Sequence, residues 1–352
     1  MIKKRFRFDW ISLAIIIFLT GLSLLTLSVI DKEFFTNQII NVLVGLLSFL
    51  FFAAFPYKLL KRFALPIAIF SLVILILPLI LGTLIRGASR WITIGSFALQ
   101  PSELAKPLIV AIIASQNSTF LSLTAIIPFF LLIFLQPDLG SSLVLLSGWA
   151  GINFSKKAAR RYLITLSILT LICLPLVWGL LAPFQKERIT SFLNPESDPL
   201  GSSYQSRQAI ISVGSGQIIG RGLGLGPQSR LAFLPERHND LLFASFVEAF
   251  GFLGGASIII AYFILFWRLF RLAEKTTDSF GKKFIIGSSL LLSFQTIVNI
   301  GMNIGLLPIT GLTLPFFSYG GSSYLSSMIF LGVIEAIASQ QTFTKTEELI
   351  IK

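Results

Sequence analysis

The stretch FLPERHNDLLFASF, Phe233–Phe246, changes character halfway along. Glu236, Arg237, His238, Asn239 and Asp240 stand together, and a mainly apolar run then continues to about residue 267. A bilayer core takes roughly 20 apolar residues of helix. The stretch therefore sets a carboxylate, a cation and the chain's only histidine at the mouth of a membrane helix. That reading decides the fold class, because similar apolar runs recur through the whole sequence.

Composition supports it. The 352 residues are 54% hydrophobic and 12% charged, and the mean hydropathy is +0.84. A soluble domain of this length is far more polar. Ten-residue alternating strands are absent, which argues against a membrane β-barrel. Ten spans are predicted, at about 9–29, 38–56, 64–84, 103–116, 119–136, 138–154, 160–182, 240–267, 283–306 and 318–339. The fold expected is an all-α polytopic membrane protein, one integral membrane domain over residues 1–352. A long extracytoplasmic loop, about 183–239, joins the seventh and eighth spans. The fifth and sixth spans are separated only by QPDLG and must form a tight hairpin. MIKKRFRFDW precedes an apolar run too long for a signal peptide and reads as an uncleaved first helix.

Ten spans place both termini on one side. That side receives eighteen of the 28 basic residues, from Lys3, Lys4, Arg5 and Arg7 to Lys345 and Lys352. By the positive-inside rule it is cytoplasmic. The net charge of +12 is thus mostly a topology signal and not a nucleic-acid surface. Cys173, the single cysteine, excludes an internal disulfide, and one His with one Cys excludes the usual zinc sites.

The chemistry-bearing residues gather at the opposite, outward side. Asp240 opens the eighth span, and Glu248 follows two turns later. Glu103 and Lys106 lie one turn apart at the start of the fourth span. Asp138 is in the hairpin, and Arg86 and Arg90 precede the fourth span in RGASRWI. Ionisable groups at membrane depth face a bundle interior or a wet cavity. Each also has a plainer reading. Asp240 or Asn239 caps a helix. Glu103 and Lys106 form a structural pair. Arg86 and Arg90 anchor to lipid headgroups. Glu248 stabilises the bundle. His238 lacks an accompanying nucleophile motif for a hydrolytic triad. The glycine run Gly220–Gly226 lacks the spacing of a dinucleotide fingerprint and reads as a flexible outer loop. Ile210, Ile211 and Val213 suit a short amphipathic helix on the membrane surface. LLPITGLTLPFFSYGGSS, residues 306–323, breaks helix and suits a cavity rim. These features fit an enzyme acting on a lipid-linked anion, and equally a transporter vestibule.

Five motifs narrow the choice: QPSELAK (100–106), QPDLGSS (136–142), NPESDPLGSSYQ (194–205), FLPERHND (233–240) and GLTLPFFSYGGSS (311–323). In this order the chain resembles the SEDS family (shape, elongation, division and sporulation) over roughly residues 80–340. NPESDPLG and LPERH look more like the elongation, RodA-like branch than the division, FtsW-like branch. The resemblance implies a peptidoglycan glycosyltransferase that polymerises lipid II in the cytoplasmic membrane beside a class B penicillin-binding protein. It implies no nucleotide sugar and no nucleic acid. A divalent cation at the diphosphate is an open expectation, and no cofactor is otherwise expected. The family's essential acid maps to Asp240. The candidate substrate-binding residues, from their charge, position and motifs, are Arg86, Arg90, Gln100, Ser102, Glu103, Lys106, Asp138, Arg237, Ser318 and Tyr319. Asn239 replaces the usual Thr. Ala249 replaces a frequent second Glu, so that acid has no pairing role here. The alternatives are an FtsW-like division enzyme, a lipid II flippase and a non-catalytic scaffold.

Overall fold

The structure, a computed structural model, describes residues 9–85, 88–94, 97–154, 178–179, 181–194, 196, 203–231 and 233–350. The helices are α1 Trp10–Ile30, α2 Lys32–Ala54, α3 Lys58–Arg62, α4 Ala64–Leu81, α5 Pro101–Ser115, α6 Thr119–Leu135 and α7 Leu139–Phe154. They continue with α8 Pro183–Leu193, α9 Tyr204–Ser215, α10 Pro227–Arg230, α11 Leu242–Lys275, α12 Ser279–Asn303 and α13 Gly321–Ile350. Six of them are long and apolar enough to cross a membrane: α1, α2, α4, α11, α12 and Gly321–Gln340 of α13. The apolar α6 and α7 are shorter. Nine of the ten predicted spans coincide with helices. The seventh, 160–182, lies almost wholly outside the described residues, as do Cys173 and Arg86.

Short polar side chains start several of these helices. Asp31 accepts from the Glu33 N–H, Ser118 from Leu121 and Asp278 from Gly281, each satisfying a backbone donor that the first turn leaves open. α2 runs along α13, and α7 along α12. Small residues permit the second approach. A Cβ on Gly148 would lie 3.2 Å from the Gly287 carbonyl oxygen, and one on Gly287 would lie 2.7 Å from Ile152. Helices in lipid associate through such close packing because burying apolar surface gains little there. α1, α2 and α4 turn many exposed Leu, Ile and Phe side chains outward, whereas α12 and α13 are largely buried.

Two boundaries depart from the hydropathy reading. α2 begins six residues before its apolar run, because Asp31 ends α1 and at once caps α2. α11 continues past residue 267 to Lys275, and Arg268 there binds Asp9 at the foot of α1, at 2.5 Å. Burial pushes the Asp9 carboxyl up, but the Arg268 guanidinium and the Ser12 hydroxyl and N–H outweigh it. The Asp9 carboxyl is held below its ordinary value of 3.8. A depressed folded value adds stability above the unfolded pKa, and that stability is lost as pH falls through the folded one. Asp9→Asn should therefore lower thermal stability near neutral pH by roughly 1 kcal/mol. The difference from wild type should shrink on acidification below pH 4. A gap in melting temperature that stays constant down to pH 3 would contradict this.

The all-α expectation needs a correction. Between α4 and α5 the chain forms a small antiparallel sheet, β1 Thr83–Ile85, β2 Ala88–Ile94 and β3 Phe97–Leu99, in that order. Its sequence, TLIRGASRWITIGSFAL, carries the Thr, Ile and Trp content of strands, with glycines between the apolar runs. Proximity to the hydrophobic α4 run hides that signal in a window average.

The glycine run also departs from its plain reading. α11 is broken at Gly251, whose φ is 68° and ψ −165°. Residues 217–222 fill the break. Arg221 and Gly222 donate their N–H groups to the carbonyls of Glu248 (3.0 Å) and Ala249 (3.0 Å). Phe252 and Leu253 donate to Gln217 (2.8 Å) and Ile218 (3.1 Å). The loop thus replaces hydrogen bonds the helix loses, as irregular backbone at membrane depth requires. A Cβ on Gly220, at φ +94°, would sit 2.2 Å from the Ala249 carbonyl oxygen. Gly220→Ala should cost roughly 3 kcal/mol through strain and the lost splice. Gly214→Ala, where a Cβ meets nothing within 4 Å, is the control. Equal melting temperatures for the two variants would remove the splice as a stabilising device.

Candidate functional site

The break isolates Leu242–Phe250 as a half-helix, and its residues from Leu242 to Ala249 are all buried. Asp240 lies just before it. Helix α11 starts after Leu241, a residue whose side chain cannot cap it. Its backbone is held from α12. Asn299 and Asn303 each donate an Nδ2–H to the Asp240 carbonyl at 3.0 Å, and the Ala244 N–H donates to Asn303 Oδ1 at 3.0 Å. Both asparagines are fully buried. Sequence reasoning missed them. The available signal was two amides one turn apart, NIGMN, at the end of a membrane-length helix.

The Asp240 side chain reaches a point shared with two cations. A Cβ built on Gly311 would lie 3.5 Å from Asp240 Oδ2, 3.6 Å from Arg188 Nη1 and 3.8 Å from Arg90 Nη2. Gly311 has φ +75°, a backbone conformation that glycine adopts without strain, and the three groups lie at ordinary contact distance from that Cβ. Arg90 is carried by β2 and pairs with Asp138 Oδ1 at 3.4 Å. Asp138 is 2% exposed. It also accepts from Gln100 Nε2 at 2.9 Å, from the Ser141 N–H at 3.1 Å and from the Ser102 hydroxyl at 3.5 Å. Arg188 comes from α8, a helix within the expected loop 183–239. α8 is docked on the α6–α7 hairpin by Gln185, whose Nε2–H donates to the Pro137 carbonyl at 3.0 Å. Arg188 was also missed. Nothing local marks it among the many basic residues, since its role arises from that docking.

Other expected residues are placed differently. Glu103 and Lys106 form a buried pair at 2.6 Å, and Lys106 also donates to Gln295 Oε1 at 3.3 Å. Ser318 accepts the Leu314 N–H at 2.8 Å, and the Tyr319 N–H donates to the His238 carbonyl at 3.1 Å. Ser318 thus closes a turn within the rim segment, and Tyr319 ties that segment to the 233–240 motif. His238 stacks on Phe34 with ring centroids 3.9 Å apart, a packing role. Arg237 turns its guanidinium to the Ser229 carbonyl. It lines a separate cleft of about 90 Å³ with Ser229, Arg230 and Glu248. Glu248 is fully buried and accepts from the Gln228 and Ser229 N–H groups at 2.9 Å each and from the Ser229 hydroxyl. It clamps the loop and does not face Asp240's cations. Among the described residues no three His, Cys, Asp or Glu side chains come together to hold a metal. The donors around Asp240 are guanidinium groups, which suit an anion.

Fold and site together define a multi-pass membrane protein with a carboxylate–guanidinium centre at one end of its helical bundle. The chain belongs to the cell cycle protein family of FtsW, RodA and SpoVE, whose sequence profile matches residues 5–343. It is 35% identical over 322 residues to a probable peptidoglycan glycosyltransferase FtsW of Trichlorobacter lovleyi, covering 87% of this chain and 84% of that one. It is 33% identical over 318 residues to the peptidoglycan glycosyltransferase MrdB of Escherichia coli K12, covering 87% and 86%. Among solved structures it matches a chain of a peptidoglycan synthase complex that coordinates polymerization and crosslinking. The TM-score is 0.81 at 30% identity, covering 95% of this chain and 98% of that one. Thermus thermophilus RodA matches with TM-score 0.70 at 26% identity, covering 95% and 97%.

Proposed function

We propose that this protein is a peptidoglycan glycosyltransferase that polymerises lipid II into β-1,4 glycan strands at the outer face of the cytoplasmic membrane. The observation that carries this reading is the convergence of Asp240, Arg90 and Arg188 on Gly311. A proton acceptor and two anion binders meet where a lipid-linked diphosphate sugar enters from the bilayer. Family membership and relatives named for this activity support it. The positive-inside distribution supports cytoplasmic termini and an outward-facing site.

A sugar hydroxyl is a weak nucleophile near neutral pH. Asp240 takes the proton of the acceptor's 4-hydroxyl as its oxygen bonds to the donor's anomeric carbon. The bond from that carbon to the diphosphate breaks, and its electron pair leaves with the diphosphate, inverting the carbon. A positioned base supplies typically 10²–10⁴-fold. Arg90 and Arg188 stabilise the negative charge developing on the leaving group. Asp138 holds Arg90 in place, and Gln100 and Ser102 hold Asp138.

The role is elongation, with a class B penicillin-binding protein as partner. The motifs NPESDPLG and LPERH support the first, and the likeness to a synthase complex supports the second. The test is to incubate the purified protein with labelled lipid II, alone and with that partner, and to resolve the products on a gel. A glycan ladder is the expected result. Folded protein that binds lipid II, makes no ladder in either condition and moves lipid II across vesicles would replace the enzyme with a flippase.

A further inference from the structure

The charges around Gly311 cancel. Arg90 and Arg188 bring two positive charges, and Asp138 and Asp240 bring two negative ones. An arriving diphosphate therefore meets cations that are already compensated. The two arginines also differ. Arg90 is 13% exposed in its side chain and has a buried carboxylate partner in Asp138. Arg188 is half-buried and stacks against Phe184 of its own helix, 5.8 Å from the ring centroid. It lines a cleft with Arg90, Gln185, Pro308 and Thr310. That cleft holds about 40 Å³, room for two or three waters and far too little for a diphosphate. Arg188, a long side chain on one helix, is the part of its lining that turns toward an arriving anion with least disruption.

We propose that Arg188 is handed from Asp240 to the substrate's diphosphate, so that binding of the lipid-linked anion arms the base. This rests on the reading of Asp240 as the proton acceptor. In the substrate-free enzyme Arg188 Nη1 and Asp240 Oδ2 flank one point beside Gly311, and a cation that shares a site with a carboxylate favours the charged form and makes it a weaker proton acceptor. A diphosphate offers Arg188 more charge and more acceptor oxygens than a carboxylate does. As Arg188 turns to it, the cleft opens and Asp240 loses a competing cation. The same step places that cation on the leaving group, where negative charge develops in the transition state. No bond is made or broken in the hand-off. It also keeps the base weak until a substrate is present. Arg188 belongs to no motif that marks the family resemblance, and its place follows from the docking of α8 on Pro137.

The hand-off separates two quantities that a purely structural arginine leaves equal. The pH dependence of kcat/KM reports the free enzyme's base, and that of kcat reports the base in the complex. In the wild-type enzyme with its transpeptidase partner, the acid limb of kcat should lie at higher pH than the acid limb of kcat/KM. Arg188→Ala should raise the kcat/KM limb to meet the kcat limb and leave the kcat limb in place. It should also weaken binding of undecaprenyl diphosphate in nanodiscs by about tenfold or more. Arg188→Lys keeps the charge without the bidentate fork and should fall between the two. Coincident limbs in the wild type overturn the proposal, and this measurement needs no variant to fold. Arg188→Ala shifting both limbs equally with unchanged diphosphate binding also overturns it, since Arg188 would then stay on Asp240 throughout. Failure of the underlying reading looks different: a glycan ladder persisting in Asp240→Asn removes the base itself.

Discussion

Asp240→Asn should abolish the glycan ladder while the protein folds and binds its partner as before. The substitution keeps the side chain's size and leaves the anchors from Asn299 and Asn303 untouched, because they hold the Asp240 carbonyl. What it removes is the proton acceptor. An amide accepts no proton near neutral pH, so the whole general-base contribution of roughly 10²–10⁴-fold in rate goes, about 3–5 kcal/mol of barrier. The initial rate of lipid II consumption measures the loss, with melting temperature as the control on folding. A rate within tenfold of wild type would sink the assignment of Asp240 as base.

Lys106→Met should be among the most damaging single changes to stability. Lys106 and Glu103 are 1% and 6% exposed, and their charged ends are 2.6 Å apart. Removing one partner leaves the other as an uncompensated buried charge, which costs about 3–5 kcal/mol. Replacing both groups removes the charges together. The double variant Glu103→Gln, Lys106→Met should therefore regain much of what the single change loses. Melting temperatures in detergent test the ordering. A single variant as stable as the double would mean that Glu103 finds another partner or is reached by water. The folded double variant then settles the choice left open by the sequence. Full polymerisation activity makes the pair structural. Loss of activity at retained stability makes it part of the substrate site, where Lys106 also contacts Gln295.

Most of the bundle was legible because hydropathy is a local, additive property. An apolar run as long as the bilayer is thick has few alternatives to a helix, and the span expected at 9–29 emerges as Trp10–Ile30. The tight turn at QPDLG was legible for the same reason, since two apolar runs so close must fold back on each other. The short sheet and the helices of residues 183–230 were less legible. Their elements are brief and sit among polar residues, where packing decides as much as propensity. Gly220–Gly226 illustrates the limit. Its composition allows a flexible loop, and only the break at Gly251 gives its backbone donors and acceptors an obligatory use.

The site divides along the same line. Asp240, Arg90 and Asp138 stood out because charged residues at membrane depth are costly and need a reason. The sequence by itself determined that this chain is a bundle of membrane helices with its unusual charges gathered toward one end. Which charges meet was decided only in three dimensions. Arg90, Arg188 and Asp240 are distant along the chain, and the fold sets all three beside one glycine of the rim segment. Arg237, three residues from Asp240, turns instead to Ser229, and Glu248 is occupied by backbone N–H groups. Sequence proximity sets where a side chain starts, but the partners that satisfy its charge and hydrogen bonds are supplied by the fold.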